Sequence, residues 1–201
     1  MLNIYLIRHG ETAWNADNNR YCGRTDIPLT EKGLKQAEAL RQLLQSIPWD
    51  GVFSSPLQRA FTTAQIATGS TGTTVVKDAR LIEADFGLWE QKTKEEFLAE
   101  NESLWTNWMR DPANNRAGGT GETGAAIVQR VDDFFQSLQK QYSSGNFLVA
   151  AHNGVNRLFL AHKLGMPLRN YRMFFMENAA PSMFTLESDG TFVLRHLNSK
   201  F

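Results

Sequence analysis

Short apolar runs alternate along the chain with longer segments of helical periodicity. Residues 2–7, 51–53, 74–76 and 147–151 are rich in apolar side chains and predict β-strands. Segments with an apolar residue every three to four positions separate them. A strand followed by a helix, repeated along the chain, is typical of an α/β fold. We therefore predict a three-layer αβα fold with a mostly parallel central sheet.

Three helices and a hairpin are predicted in more detail. The first helix begins after Thr30, and its inner side is predicted to carry Leu34, Ala37, Leu40 and Leu44.

The other predicted elements lie later in the chain. A second helix opens at Thr93, with Glu96 at the capping-box spacing, and a third carries an apolar stripe across residues 127–138. Residues 182–186 and 191–197 flank an Asp-Gly turn and predict a hairpin that closes the sheet.

The composition is that of an ordinary globular protein. The 201 residues are 42% hydrophobic, and 21 basic and 21 acidic side chains give a formal net charge of zero. Without a basic run, we expect no nucleic-acid or membrane partner, so any anion site must be local. No segment is typical of a signal peptide or a membrane span, and we expect one cytoplasmic domain over residues 1–201.

Basic and imidazole side chains follow three of the predicted strands. The first strand runs into Arg8 and His9, the second leads through Ser55-Pro56 to Arg59, and the fourth runs into His152. Ser55 is a predicted N-cap and Pro56 suits the first helical turn, which would place Arg59 near the amino end of a helix, where anions are favoured. Because the carboxyl ends of parallel strands share one edge of a sheet, these side chains should converge. Two arginines and two histidines in one pocket would suit a phosphoryl group, whose oxygens match guanidinium forks.

Each of these residues taken alone has a plainer interpretation. Arg59 would pass for a solvated helix arginine, and a single histidine at a strand end is more often a core residue. The repetition of basic and imidazole side chains at three strand ends favours a shared anion-binding site. The histidines, at positions 9, 152, 162 and 196, have no metal-ligand spacing, and no cysteine cluster accompanies them, so a metal centre is disfavoured.

Five segments together carry a resemblance to a known family. Residues 6–15, 23–30, 54–60, 81–90 and 150–154 resemble, in order and over nearly the whole chain, the signature segments of the histidine phosphatase superfamily, also called phosphoglycerate mutase-like proteins. The resemblance implies a phosphoglycerate mutase-like fold. It also implies hydrolysis of a phosphate ester through a phosphohistidine, with no metal or other cofactor.

The resemblance also implies roles for individual residues. It makes His9 the nucleophile, and Arg8, Arg59 and His152 the ligands of the phosphoryl oxygens. Glu83 matches the residue that acts as the acid. A phosphohistidine divides one difficult displacement into two easier ones, which makes such a nucleophile chemically reasonable.

Four further residues are expected around the phosphate and the substrate. Asn15 would add a hydrogen bond to the phosphoryl oxygens, and Gly23 and Asn153 belong to the matching segments. Asn153 and Ala151 replace residues that are common in the family, which affects the details of phosphate binding. Cys22 is interpreted as a thiol that lines the pocket, with plain packing as the alternative.

The resemblance leaves the branch of the family open. Members build a roof over the substrate from the segment that corresponds to residues 90–124. Mutases usually carry longer insertions and a C-terminal tail that shields the phosphoenzyme from water, so this chain is predicted to be a phosphatase. The alternatives are a cofactor-dependent phosphoglycerate mutase and a non-catalytic phosphate-binding protein, the latter disfavoured because every reacting group is present.

The expected partner is a small phosphorylated metabolite. Sugar phosphates, phosphoglycerates and α-ribazole phosphate are the candidates, the last because residues 164–168 and 197–199 resemble the α-ribazole phosphatase branch.

Overall fold

A six-stranded sheet forms the centre of the computed structural model, which describes residues 1–69 and 73–199. The strands follow the spatial order β3-β2-β4-β1-β5-β6. The first four in the chain are parallel, whereas β5 runs antiparallel to β1, and β6 antiparallel to β5. The predicted parallel sheet and closing hairpin are therefore confirmed. The strands are β1 (Leu2–Arg8), β2 (Gly51–Ser54), β3 (Val75–Lys77), β4 (Gly145–Ala151), β5 (Pro181–Leu186) and β6 (Phe192–His196).

Helices cover both faces of the sheet. Helices α2 and α3 pack on one face, and α5 and α6 pack on the other, with α4 beside them. Among the described residues, no helix combines the length and the apolar character needed to cross a membrane. The helices are α1 (Ala13–Ala16), α2 (Glu31–Leu44), α3 (Gln58–Thr68), α4 (Lys94–Arg110), α5 (Gly124–Gln141) and α6 (Asn153–Lys163).

The central strand β1 shows why the fold has three layers. Its alternate residues Leu2, Ile4 and Leu6 join the core under α5 and α6, and Tyr5 and Ile7 join the core under α2 and α3. Successive side chains of a strand point to opposite faces, so a strand with apolar side chains on both faces needs cover on both sides.

The predicted caps of α2 and α4 are confirmed. The Thr30 hydroxyl accepts a hydrogen bond from the Gly33 N–H at 3.0 Å. The Thr93 hydroxyl accepts from the Glu96 N–H at 3.2 Å, and the Glu96 carboxylate accepts from the Thr93 N–H at 2.8 Å. These reciprocal bonds satisfy N–H groups that the first turn of a helix leaves without partners.

The predicted inner side of α2 is wrong at one residue. Leu34 is 42% exposed, whereas Gly33 is buried together with Ala37, Leu40 and Leu44. The cause is the close approach of the main chain at Gly33 to the main chain at Glu11. A Cβ on Gly33 would lie 2.2 Å from the carbonyl oxygen of Glu11, so the helix presents this glycine to the loop that follows β1.

The predicted start of α3 is also wrong, by two residues. The helix begins at Gln58 with Leu57 as its N-cap, not at Ser55 with Pro56 in the first turn. The Ser55 hydroxyl instead accepts from the Leu57 N–H at 3.2 Å, which stabilises the turn before the helix. Arg59 nevertheless lies in the first turn, as expected.

We expect Gly33→Ala to lower the free energy of unfolding by about 1–3 kcal/mol, the usual cost of forcing extra volume into a packed site. Helix propensity alone predicts the opposite sign, because alanine is the better helix former by about 1 kcal/mol. Urea denaturation measures the difference. Lys35→Ala on the exposed side of the same helix is the control, and it should change the stability by less than about 0.5 kcal/mol. A Gly33→Ala protein as stable as the wild type would contradict the close contact.

Candidate active site

The carboxyl ends of β1, β2 and β4 meet at one edge of the sheet. The His9 N–H donates to the Ala151 carbonyl at 3.1 Å, and the Ser55 N–H donates to the Ala150 carbonyl at 2.9 Å. These bonds continue the sheet ladder beyond the last strand residues. They fix the main chain from which the predicted site residues project.

A cavity of about 80 Å³ opens at this edge. Two of the predicted site residues, Gly23 and His152, are not part of its lining, but the Gly23 carbonyl accepts from Arg59 and the His152 ring lies beside that of His9. The predicted residues that line the cavity are Arg8, His9, Asn15, Cys22, Arg59, Glu83 and Asn153. The structure therefore brings together residues that are up to 145 positions apart in the sequence, counted from Arg8 to Asn153.

His9 is held in one tautomer by the main chain. Its Nδ1 lies 2.7 Å from the Gly10 carbonyl oxygen, which can only accept, so Nδ1 carries the proton and Nε2 keeps its lone pair. Burial lowers the pKa of His9 well below its usual range, and Arg59 and Arg8 lower it further. The ring is therefore neutral at neutral pH, which leaves Nε2 available as a nucleophile.

His152 lies beside His9 at the amino end of α6. The two ring centroids are 5.1 Å apart, with the ring planes at 61°. The His152 side chain is fully buried, and within the described part of the chain neither ring nitrogen has a hydrogen-bond partner. Burial, followed by the charge of Arg59, holds its pKa well below the usual range.

The two predicted phosphate-binding arginines are buried and anchored by carbonyl oxygens. Arg8 Nη1 donates to Met176 at 3.0 Å, and Arg59 donates through Nη1 to Thr25 and through Nη2 to Gly23, both at 2.8 Å. Burial lowers the pKa of Arg8 to about 10, so it remains a cation at neutral pH. Among the described residues, no carboxylate lies within ion-pair distance of either guanidinium.

The unpaired polar atoms of the interior concentrate at this site. In residues 1–69 and 73–199, seven buried side-chain N or O atoms have no hydrogen-bond partner, and five of them belong to Arg8, Arg59, His152 and Asn153. Buried polar atoms without partners are costly, and the cationic Nε–H donors of Arg8 and Arg59 among them indicate a binding site for an anion. Over the same residues, no three His, Cys, Asp or Glu side chains are grouped as metal ligands would be.

Glu83 is fixed against the first turn of α6. Its Oε1 accepts from the N–H groups of Ala84 at 2.9 Å and Val155 at 3.0 Å, and its Oε2 accepts from Gly154 at 3.1 Å. A Cβ on Gly154 would lie 2.8 Å from Oε1, so the glycine permits this approach. The carboxylate thus occupies the amino end of a helix, where its charge is favoured, and it lines the same cavity as His9.

Gly23 supports the site through Arg59. Its carbonyl accepts from Arg59, and Glu90 in turn holds this loop, because its Oε1 accepts from the Arg24 N–H at 3.0 Å and its Oε2 from the Thr25 hydroxyl at 3.1 Å. Gly23 adopts a positive φ of 49°, and a Cβ there would lie 1.9 Å from the Glu90 carboxylate. Glu90, which was not predicted as a site residue, therefore positions Arg59 indirectly.

Asn15 and Cys22 form one side of the cavity. Asn15 Oδ1 accepts from the Thr12 N–H at 3.2 Å, and the Thr12 hydroxyl lies 3.9 Å from the Cys22 sulfur. Burial raises the pKa of the Cys22 thiol, so it is protonated at neutral pH. This agrees with the interpretation of Cys22 as a lining thiol and not a second nucleophile.

Several residues of the cavity were missed by the sequence analysis. Arg157, one helical turn after Asn153 on α6, lines the cavity together with Tyr21, Tyr171 and Arg172. The i, i+4 spacing from Asn153 was a signal for Arg157. Arg172 follows no strand and belongs to no recognised segment, so nothing in its local sequence marked it.

The predicted roof segment, residues 90–124, contributes no residue to the lining of the cavity. It packs behind the wall instead. Phe97 contacts the Tyr21 ring with centroids 5.2 Å apart, and the Trp105 ring lies 5.2 Å from the guanidinium carbon of Arg172.

Buried arginines and neutral imidazoles at the carboxyl edge of a parallel sheet suit phosphoryl transfer, since this chemistry mainly needs alignment and positive charge. Comparison with known families agrees. The family model of the histidine phosphatase superfamily (branch 1) matches residues 4–200. The chain belongs to this superfamily.

Individual relatives are similar over nearly their whole length. Phosphoserine phosphatase 1 of Hydrogenobacter thermophilus is 31% identical, over 97% of this chain and 92% of the relative. Adenosylcobalamin/alpha-ribazole phosphatase of Escherichia coli is 34% identical, over 99% and 97%. The crystal structure of a variant phosphoserine phosphatase from Entamoeba histolytica in complex with phosphoserine superposes with a TM-score of 0.89, at 29% identity over 99% of this chain and 98% of that chain.

We expect the stability to fall as the pH decreases below about 6.5, the ordinary histidine pKa in an unfolded chain. His9 and His152 have lowered pKa values when folded, so below pH 6.5 the unfolded chain takes up protons that the folded protein excludes. Together they contribute at most about 2.7 kcal/mol per pH unit. Urea denaturation between pH 7.5 and 5.5 measures this slope.

The matched control for this prediction is the exposed His162. The double variant His9→Gln/His152→Gln should have a flatter pH dependence, whereas His162→Gln should keep the wild-type slope. A double variant with an unchanged slope would show that these two histidines do not cause it.

Proposed function

We propose that this chain is a phosphomonoesterase that hydrolyses a small phosphate ester through a phosphohistidine on His9. The observation that carries the proposal is the neutral His9 ring, held by the Gly10 carbonyl, beside Arg8 and Arg59, which form no ion pair with a described carboxylate. A nucleophile and an anion site share one small cavity.

In the first step, Nε2 of His9 attacks the phosphorus atom and the bond from phosphorus to the ester oxygen breaks. Arg8, Arg59 and His152 surround the phosphoryl oxygens, and the arginines balance the charge that develops on them. Binding of the anionic ester beside Glu83 favours uptake of a proton by its carboxylate, because like charges repel. Glu83 then gives this proton to the departing oxygen, which would otherwise leave as an alkoxide.

In the second step, water attacks the phosphohistidine. Glu83, now a carboxylate, takes a proton from the water while the phosphorus–nitrogen bond breaks, and phosphate and neutral His9 are released. The same residue thus acts first as acid and then as base. Its fixed position at the amino end of α6 keeps it on the same side of the cavity throughout.

The substrate in this proposal is a small phosphorylated metabolite. One relative is named for phosphoserine and another for α-ribazole, so phosphorylated acids and α-ribazole phosphate are both candidates, together with sugar phosphates.

We also propose that residues 90–124 influence substrate binding indirectly. They support the cavity wall, because Phe97 contacts Tyr21 and Trp105 contacts Arg172.

We expect brief exposure to a ³²P-labelled ester to place an acid-labile, base-stable label on His9, because a phosphorus–nitrogen bond has these stabilities. His9→Ala should lose the label, and phosphate release should fall by about 10³-fold or more, as for removal of other enzymic nucleophiles. The exposed His162 provides the control variant His162→Ala, which should keep both. A label on Ser54, Ser55 or Cys22, or turnover in His9→Ala, would overturn the assignment.

We expect Glu83→Gln to separate the two steps by leaving-group chemistry. With an alkyl phosphate, phosphorylation of His9 should slow by about 10²–10⁴-fold, because the alkoxide needs a proton. A nitrophenyl phosphate expels a stable phenolate, so it should give a rapid burst of one phenolate per site followed by slow turnover. Stopped-flow absorbance and phosphate release measure the two phases. Equal slowing of both esters in the first step would show that Glu83 is not the acid.

A further inference from the structure

The cavity holds more positive charge than a phosphoryl group requires. Among the residues that the structure describes, five arginines line it against one carboxylate, that of Glu83. Arg20 is neutralised outside the cavity by Asp17 and Glu96. The lining arginines that have no ion pair with any described residue are Arg8, Arg59, Arg157 and Arg172. The phosphoryl group accounts for the first two, which leaves Arg157 and Arg172.

Arg157 is a buried cation with a fixed orientation. Its side chain comes from α6 and the residue is only 8% exposed. Its Nε donates to the Tyr171 carbonyl at 3.1 Å, and its guanidinium carbon lies 5.3 Å from the centroid of the Tyr171 ring. Within the described part of the chain, no protein acceptor bonds its two Nη groups. A buried charge without an opposite charge is costly, so an anion at Arg157 would relieve that cost.

Arg172 and Tyr21 continue the same wall toward the mouth of the cavity. Arg172 Nη1 lies 3.3 Å from the Tyr21 hydroxyl oxygen and donates to it. Burial raises the pKa of Tyr21 to about 12, so the hydroxyl keeps its own proton and can donate it to a ligand. Arg172 also lies over the Trp105 ring, which limits its movement. These two residues add donors beside Arg157.

We propose that the substrate is a small phosphate ester whose leaving group carries a carboxylate, bound by Arg157 with Arg172. This assignment rests on the proposed phosphatase function and names its substrate class. The planar fork of Arg157 matches the two oxygens of a carboxylate. The cavity is small, and the rings of Tyr21, Phe86 and Tyr171 line it beyond the phosphate site. A neutral sugar or a nucleoside would leave Arg157 buried without a counter-charge, so a short phosphorylated acid fits best.

The test is a pair of esters that differ in one group. 3-Phosphoglycerate carries a carboxylate where glycerol 3-phosphate carries a hydroxymethyl group. For the wild-type protein, kcat/KM should favour 3-phosphoglycerate by about 30-fold or more, the range expected for a buried, hydrogen-bonded charge pair. Phosphoserine and phosphoethanolamine form a second pair, in which a hydrogen atom replaces the carboxylate, and the same preference is expected. Similar kcat/KM values within both pairs would overturn the proposal, and this comparison needs no variant.

The variants assign the preference to the two arginines. Arg157→Gln should reduce the ratio of the two kcat/KM values to within about threefold of one, with most of the loss in KM for 3-phosphoglycerate, since binding of the carboxylate is removed. The exposed Arg172→Gln should reduce the ratio in the same direction by a smaller factor. Arg169 is an exposed arginine that shares a 3-10 helix, Leu168–Met173, with Arg172 but does not line the cavity. Arg169→Gln is therefore the control and should keep the wild-type ratio.

The possible failures can be told apart. Retention of the wild-type ratio in both Arg157→Gln and Arg172→Gln would overturn the assignment. If Arg157→Gln does not fold, the wild-type ratio and the ratio in Arg172→Gln decide the question. Release of phosphate from both esters at similar rates would refute the carboxylate site alone. No release from any ester would refute the phosphatase function itself.

Discussion

The site depends on positive charge that is buried at the edge of the sheet and that forms no ion pair with a carboxylate of the described residues. Arg8 and Arg59 are held by the carbonyl oxygens of Met176, Gly23 and Thr25, which orient the guanidinium groups without cancelling their charge. A carboxylate partner would have offset the cost of burying each guanidinium charge in the protein without ligand. The same carboxylate would have competed with the phosphoryl group for the arginine. The fold therefore holds these charges with neutral acceptors and leaves the neutralisation to the ligand. The same field, together with burial, keeps both histidines neutral.

Close approaches of the main chain position these groups. Gly10 follows His9, and a Cβ on it would lie 2.5 Å from the Gly33 carbonyl oxygen, so the loop after β1 rests directly on α2. Gly154 allows Glu83 to reach the N–H groups at the start of α6 in the same way. Contacts between backbones leave little freedom for adjustment, because neither side can rotate away as a long side chain can. The position of the nucleophile is thus set by sheet and helix packing and not by flexible side chains.

The sequence predicted the parts of the site that depend on strand order. Arg8 is the last residue of β1, and His9 and His152 directly follow β1 and β4, so a parallel sheet was enough to bring them together. The roles of His9 and Glu83 came from the family resemblance. The parts that depend on contacts between distant segments could not be predicted. Leu34 satisfied the helical stripe of α2, but the approach of Glu11 to Gly33 rotated it outward. Arg172 reaches the cavity through the packing of its 3-10 segment on α4, which no local pattern encodes.

The cavity has two halves that depend on different parts of the fold. The inner half is attached to the ends of β1, β2 and β4, where any shift would also disturb the sheet. The outer half depends on Tyr171 and Arg172, and these pack against α4 through the hydrogen bond from Trp108 Nε1 to the Tyr171 hydroxyl at 3.2 Å and through the Trp105 ring. Changes in α4 can therefore alter the outer wall of the cavity while His9 and the buried arginines stay in place. In the proposed mechanism the leaving group contacts this outer wall, which the phosphoryl transfer does not use, so one phosphoryl-transfer site can serve different small esters.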